Sequence, residues 1–246
     1  MTHCWAQNDG RAGRNGAQEI MNDAAGLGGL FEKLVDRRRS TRDFKPDPVP
    51  REIIEAVLCG AQRAPSNCNT QPWFVHVVTG DTLEQLRTEL PTKFAAGDIA
   101  LDFPYDGQYD GVYKARQYAS ATALYDALDI SRDEKAARNN WFMRNFTFFD
   151  APAVAFFTLP SQFGLREACD LGMYAQTVML GLVAHGLGSC PQTSLGFLAN
   201  VIRPALGLGD HEKLMFGLSF GYPTEAPVNQ VQTERAALQE VVTFHE

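Results

Sequence analysis

The chain has 246 residues, 45% hydrophobic and 21% charged, an ordinary globular composition with enough apolar material for one sizeable core. Lys and Arg total 22 against 29 Asp and Glu, a formal charge of −7, so the basic footprint of a nucleic-acid binder is missing. No stretch approaches the roughly 18 uninterrupted apolar residues of a membrane span, and residues 1–18 hold no apolar signal core, so a cytoplasmic protein is expected. Five scattered cysteines without a C-x-x-C pair indicate neither a disulfide framework nor a zinc knuckle, and no histidine spacing suits a metal.

Residues 1 to about 25 are rich in Gly, Asn, Asp and Ala and are expected to form a flexible arm ahead of a folded domain over 26–246. Leu30, Phe31, Leu34 and Val35 recur at helical spacing and predict a helix that runs into the basic segment Arg37 to Phe44. A second helix is expected behind Pro50, with Ile53, Ile54, Val57, Leu58 and Ala61 as its apolar stripe and Pro65 as its stop. Trp73 to Val78 reads as a buried strand, and Asp81 as the cap of a helix over Leu83 to Leu90. Pro91, Gly97, Pro104, Gly107 and Gly111 break residues 91–112, the composition of a lid or binding loop. Helices follow at about Tyr113 to Leu128 and Arg132 to Asn145, then a second buried strand at Ala153 to Leu159. Leu165 to His185 is apolar nearly all round, a helix expected to be buried on most faces. Gly186 to Pro191 reads as a break, a short helix follows near Phe197 to Arg203, Lys213 to Gly221 makes a third strand, and the tail from Tyr222 is extended. Strands separated by helices indicate a three-layer α+β or α/β domain with the long helix at its centre.

Gly217-Leu218-Ser219-Phe220-Gly221 matches the G-x-S-x-G pattern of a hydrolase nucleophile elbow, but an elbow turns from strand straight into helix and here Tyr222-Pro223 follows. Ser219 is therefore read as an ordinary strand residue. Gly26-Leu27-Gly28-Gly29 lacks the third glycine and the preceding strand of a dinucleotide fold, and no G-x-x-x-x-G-K occurs. What stands out in an acidic protein is Arg37, Arg38, Arg39 and Arg42 around Ser40 and Thr41. Alone, such a run suits a solvated face; it also suits a phosphomonoester dianion, whose oxygens match guanidinium forks. Pro65-Ser66-Asn67-Cys68-Asn69-Thr70-Gln71-Pro72-Trp73 holds more small hydrogen-bonding groups than a helix-to-strand turn needs. Fixed beside a core strand, they suit the recognition of a planar polar ring.

These two segments, in this order, resemble the FMN-dependent nitroreductases, whose R-R-S-x-R-x-F stands at Arg38 to Phe44 and whose P-S-x-x-N-x-Q-P-W stands at Pro65 to Trp73. The family's long central helix and G-x-G-S-x-P are similar to Leu165 to Gly186 and Gly186 to Pro191, and its G-Y-P with a following tail to Gly221 through Arg235. The resemblance runs from about residue 27 to the end. It implies a three-layer nitroreductase-like α+β fold, a mixed or antiparallel central sheet flanked by helices, and an intertwined homodimer with FMN at the subunit interface. By the same resemblance Arg38 and Arg235 grip the FMN phosphate, helped by Arg39 and Ser40, and Arg42 lies at the pyrimidine edge, where a cation favours reduced flavin. Pro65, Ser66, Asn67 and Asn69 come from the partner subunit, while Pro191, Gln192, Thr193 and Ser194 pack on one flavin face with a backbone N–H toward N5.

Asn67 stands where many members have a second Ser, and the neutral segment Asn229-Gln230-Val231-Gln232 leaves Arg235 as the tail's cation for phosphate. Tyr105, Tyr109 and Tyr113 either wall a substrate site or pack within their own loop. The implied activity is NAD(P)H-dependent reduction of nitroaromatic or quinone-like acceptors through flavin N5, with no obligatory acid–base side chain. The same motifs admit a reductive dehalogenase, a flavin-fragmenting enzyme or a noncatalytic flavin-binding protein in which residues 91–111 close the site.

Overall fold

The structure, a computed structural model, describes residues 24–246; the arm expected over residues 1–25 lies outside the described residues but for its last two, which open the first helix. In chain order the helices are α1 (Ala24–Arg37), α2 (Arg51–Ala61), α3 (Gly80–Ala95), α4 (Gly111–Asp126), α5 (Lys135–Met143), α6 (Leu165–Ala184), α7 (Ala199–Ala205) and α8 (Leu238–Val241). Four strands, β1 (Phe74–Val78), β2 (Ala153–Pro160), β3 (Gly188–Gln192) and β4 (Glu212–Gly221), form one antiparallel sheet in the order β1-β2-β4-β3.

The three layers follow from the side-chain alternation of the central strand. Val154 and Phe156 of β2 join a cluster with Leu83, Leu86 and Leu90 of α3, Phe146, Phe148 and Phe149 of the short helical turn Arg144–Asp150, and Ile202 of α7. Ala153, Ala155, Phe157 and Leu159 point the other way, into a cluster with Val57 and Ala61 of α2 and Leu171, Tyr174, Val178 and Leu182 of α6. Both faces of β2 are therefore covered, as its apolar run predicts.

Several expectations are corrected. β1 is an edge strand rather than a buried one: it pairs only with β2, and Phe74 and Val77 stay 47% and 37% exposed. Gly188 to Gln192 is no break but the opposite edge strand, where Pro191 costs little in a ladder with a single neighbour. α3 continues through Pro91 to Ala95, because Leu90 is buried and Phe94 stacks on Phe146 at 4.2 Å, which offsets the lost helical hydrogen bond. Asp81 sits inside the first turn of α3, whose cap position is Thr79. α6 buries only the side that meets α2 and the sheet, leaving Gly172, Met173 and Gln176 exposed. The tail is not simply extended: it holds a 3-10 turn at Pro227–Gln230 and then α8. α4 has no buried residue at all, and Leu27, Leu30 and Phe31 of α1 are exposed. Among the described residues no helix is long and apolar enough to cross a membrane.

Candidate functional site

A cleft of about 740 Å³ opens between the end of α1, one side of α4 and the C-terminal tail. Arg38, Arg39, Ser40, Arg42 and Arg235 all line it, so the basic cluster apart from Arg37 and the distant tail arginine share one cleft. Val35 and Asp36 at the end of α1, Gln117, Ser120, Ala121 and Leu124 of α4, Gln176 of α6, and Val231, Gln232 and Thr233 complete the walls.

The backbone that presents these arginines is held at nearly every residue. Ser40 bridges to Ser189 at the edge of β3, and the Thr41 N–H donates to the Ser189 carbonyl at 2.9 Å. This approach needs glycine at 188, because a Cβ there would lie 2.9 Å from Thr41 Cβ. On the tail side, Asn229 is 7% exposed; its Oδ1 accepts from the Arg42 N–H at 2.8 Å, and its amide donates to the Asp43 carbonyl at 2.7 Å and the Thr224 carbonyl at 3.1 Å. The Asp43 carboxylate accepts from the Thr224 hydroxyl at 2.6 Å, and the Lys45 N–H donates to the Tyr222 carbonyl at 2.8 Å.

Four arginines face one carboxylate, Asp36, in the cleft lining. Among the described residues no carboxylate pairs with Arg38, Arg39, Arg42 or Arg235. Burial and then the nearby Arg235 lower the Arg38 guanidinium from its ordinary value, so the two cations work against one another until an anion joins them. Arg235 Nη1 donates to the Thr233 hydroxyl and carbonyl at 2.7 and 2.9 Å, which anchors it to the tail. The buried Cys190 thiol beside them is pushed up to about 11 by burial, against the pull of Arg42 and Arg38, and so stays protonated and unreactive.

Pro191, Gln192, Thr193 and Ser194 run off the end of β3 and lie outside the lining of the cleft, on the strand whose Ser189 touches Ser40. Gln192 is buried; its Oε1 accepts from the Ser219 hydroxyl, and its Nε2 donates to the Asn145 carbonyl at 2.9 Å and to Asn145 Oδ1 at 3.2 Å. Ser219 lies within β4, fully buried, its hydroxyl committed to Gln192, which is the strand residue expected rather than an elbow. The hydroxyls of Ser189 and Ser194 are buried and have no hydrogen-bond partner among the described residues.

Pro65, Ser66, Asn67 and Asn69 do not enter the cleft of their own chain. Cys68, Asn69 and Gln71 take left-handed φ angles of 50°, 56° and 47°, a costly conformation for non-glycine residues. It is held by the Asn67 N–H donating to Asp170 Oδ2 at 3.1 Å, the Gln71 N–H to Ser66 Oγ at 2.9 Å, and Trp73 stacked on Tyr174 at 4.7 Å. The side chains of Asn67 and Asn69 face outward on a fixed backbone. Asp170 had one sequence signal, an acid on the apolar stripe of α6; Asn229 and the wall residues of α4 had none. Tyr105, Tyr109 and Tyr113 do not line the cleft, and Tyr105 stacks on Phe197 at 5.8 Å.

A family model described as the nitroreductase family matches residues 35–222. The nitroreductase NfnB of Mycolicibacterium smegmatis is 42% identical over 215 residues, covering 87% of this chain and 92% of that protein. A 4-nitrobenzoate reductase of Pseudomonas putida is 34% identical over 217 residues, covering 87% and 95%. In structure, the FMN-dependent nitroreductase NfnB from Mycobacterium smegmatis, crystallised in complex with NADPH, superimposes with a TM-score of 0.86 at 41% identity, over 89% of this chain and 100% of that one.

Proposed function

We propose that this chain, which belongs to the nitroreductase family, binds FMN in the cleft between Arg38 and Arg235 and acts as an NAD(P)H-dependent oxidoreductase on nitroaromatic or quinone-like acceptors. The observation that carries it is the excess of guanidiniums without a carboxylate partner, two of which repel each other in a cleft where they outnumber the one lining acid, Asp36. The orphaned hydroxyls of Ser189 and Ser194 fit the same reading, since each is a buried polar group awaiting a partner.

When bound, FMN supplies a hydride acceptor at N5 that a reduced nicotinamide fills and an organic acceptor empties. The protein's share is position and charge. Arg38, Arg235, Arg39 and Ser40 hold the phosphate, and Arg42 opposes negative charge at the pyrimidine edge. Pro191 and Gln192 would support one flavin face, and Thr193 or Ser194 would supply a backbone N–H to N5. Pro65, Ser66, Asn67 and Asn69 serve the cleft of a second copy. That homodimer is favoured by exposed Leu27, Leu30 and Phe31 on α1, by Phe74 and Val77 on the sheet edge, and by the uncovered side of α6. The cytoplasm, with its reduced nicotinamides, is the working compartment.

The test is an absorption spectrum of the purified protein before and after anaerobic NADPH or NADH. Flavin bands that bleach and return on adding a nitroaromatic are expected. Bands indifferent to both nucleotides refute the oxidoreductase reading, and a colourless protein that cannot be reconstituted with FMN refutes the cofactor.

A further inference from the structure

Arg144 and Asn145, adjacent at the end of α5, reach in two directions. Arg144 Nη2 lies 3.4 Å from Asp43 Oδ2, the residue next to Arg42, and 2.7 Å from Asp150 Oδ2, with its guanidinium 4.7 Å over the Trp141 ring. Asn145 takes both hydrogens of the Gln192 amide, on its carbonyl at 2.9 Å and on Oδ1 at 3.2 Å. The Ser219 hydroxyl occupies the other end of that amide, so a flipped Gln192 would set oxygen against the two Asn145 oxygens. Both contacts start from a rigid base. Phe148, Phe149 and Asp150 follow in left-handed conformations at φ 60°, 53° and 63°, with the two rings buried in the core.

We propose that Arg144 and Asn145 are positioning residues, a strut that sets the separation between Arg42 and the Thr193–Ser194 turn. This rests on the FMN reading given above. A flavin has to meet a cation at its pyrimidine edge and an N–H at N5 at the same time; the Thr41–Ser189 contact joins the two segments at one point, and Arg144 with Asn145 adds a second brace that fixes how far they diverge beyond it. Neither residue touches the cofactor; each acts through its neighbour on a flavin-facing segment.

The test uses Arg144→Gln, which frees Asp43, Gln192→Met, which frees Asn145, and the double variant. Three quantities are read: FMN dissociation from the apoprotein by flavin fluorescence, the two-electron midpoint potential of the FMN-loaded protein, and apoprotein melting. Each single change is expected to weaken FMN binding about tenfold. The ratio of reduced to oxidised FMN affinity is expected to fall about tenfold, about 30 mV for a two-electron couple. The double variant is expected to lose no more than the worse single, because a strut cut at one end bears nothing at the other. If Gln192→Met does not fold, Asn145→Ala, which removes the Oδ1 acceptor of the Gln192 amide, is expected to move the potential in the same direction. Lower melting temperatures with unmoved potentials, or additive losses in the double variant, overturn the strut. A wild-type protein that takes up no FMN overturns the functional reading itself, before any variant is compared.

Discussion

Replacing Asn229 with Ala tests whether the tail holds the arginine loop in place. The change removes the acceptor of the Arg42 N–H and the donor to the carbonyls of Asp43 and Thr224, at a site only 7% exposed. A buried backbone group left without its partner costs about 1–3 kcal/mol. Three such groups set an upper limit several kcal/mol higher than the net loss, because the vacated amide volume admits a water that re-satisfies part of the set. The expected loss is about 2–4 kcal/mol of unfolding free energy, large against a domain total of roughly 5–15 kcal/mol yet compatible with folding. Urea unfolding with an unchanged m-value reads it, and FMN titration reads the consequence for Arg42. Asn229→Asp separates the two ends of the clamp. It keeps the acceptor for Arg42 but sets carboxylate oxygen against two carbonyls, so at neutral pH it is expected to lose at least as much as Ala. A stability loss under about 0.5 kcal/mol refutes the clamp. A full loss with unchanged FMN affinity refutes its link to Arg42.

Gly188→Ala forces a Cβ to 2.9 Å from Thr41 Cβ and is expected to cost about 1–3 kcal/mol and to weaken FMN, whereas Gly60→Ala, with nothing within 4 Å, is expected to be neutral or stabilising in thermal melts. Arg38→Ala is expected to weaken FMN at least about tenfold while leaving the apoprotein no less stable, since it also removes the repulsion from Arg235; equal losses in both refute the anion site. Burial alone would raise the Glu212 carboxyl above its ordinary 4.5, but the Thr158 hydroxyl at 2.6 Å and the His76 ring at 2.8 Å outweigh it and hold it lower. The unfolded chain then takes the proton first, so this stability is present above about pH 4.5 and is lost as pH falls through the folded value. Glu212→Gln is expected to flatten urea stability across that acid window, and an unchanged slope refutes the assignment.

Segments whose chemistry is local were legible in the sequence. Four arginines around Ser40 and Thr41, and a polar run pinned between Pro65 and Pro72, carry their meaning in a few adjacent residues, and the structure gathers three of those arginines, Arg38, Arg39 and Arg42, with Arg235. The helices behind Pro50 and over Leu165 to His185 were readable from apolar period. What failed depends on neighbours remote in the chain. Phe74 to Val78 has the composition of a buried strand, but its exposure is decided by its place at the sheet edge, a property of strand order. Gly188 to Gln192 reads as a turn because glycine and proline are poor ladder residues, yet the lack of a Cβ is what lets Thr41 lie against it. Asn229 looked like one of several neutral tail residues, and only its folded contacts with Arg42 and Asp43 distinguish it from Gln230 and Gln232.

The polar loop at Pro65 to Asn69 and the cleft both lean on α6, and helix geometry separates them. Asp170 holds the Asn67 N–H and Gln176 lines the cleft. Six residues advance roughly 9 Å and leave the two side chains about 120° apart around the axis. The loop therefore sits on a different side of α6 from its own cleft, and the exposed Asn67 and Asn69 favour the shared sites of the proposed dimer. Co-expressing an Arg38→Ala chain with an Asn69→Ala chain decides the matter. With shared sites, a hybrid dimer combines both lesions in one cleft and leaves the other intact, so purified hybrids are expected to bind FMN with wild-type affinity at half the wild-type stoichiometry. If each loop serves its own cleft, every site in the hybrid carries one lesion, and no wild-type affinity appears at any occupancy.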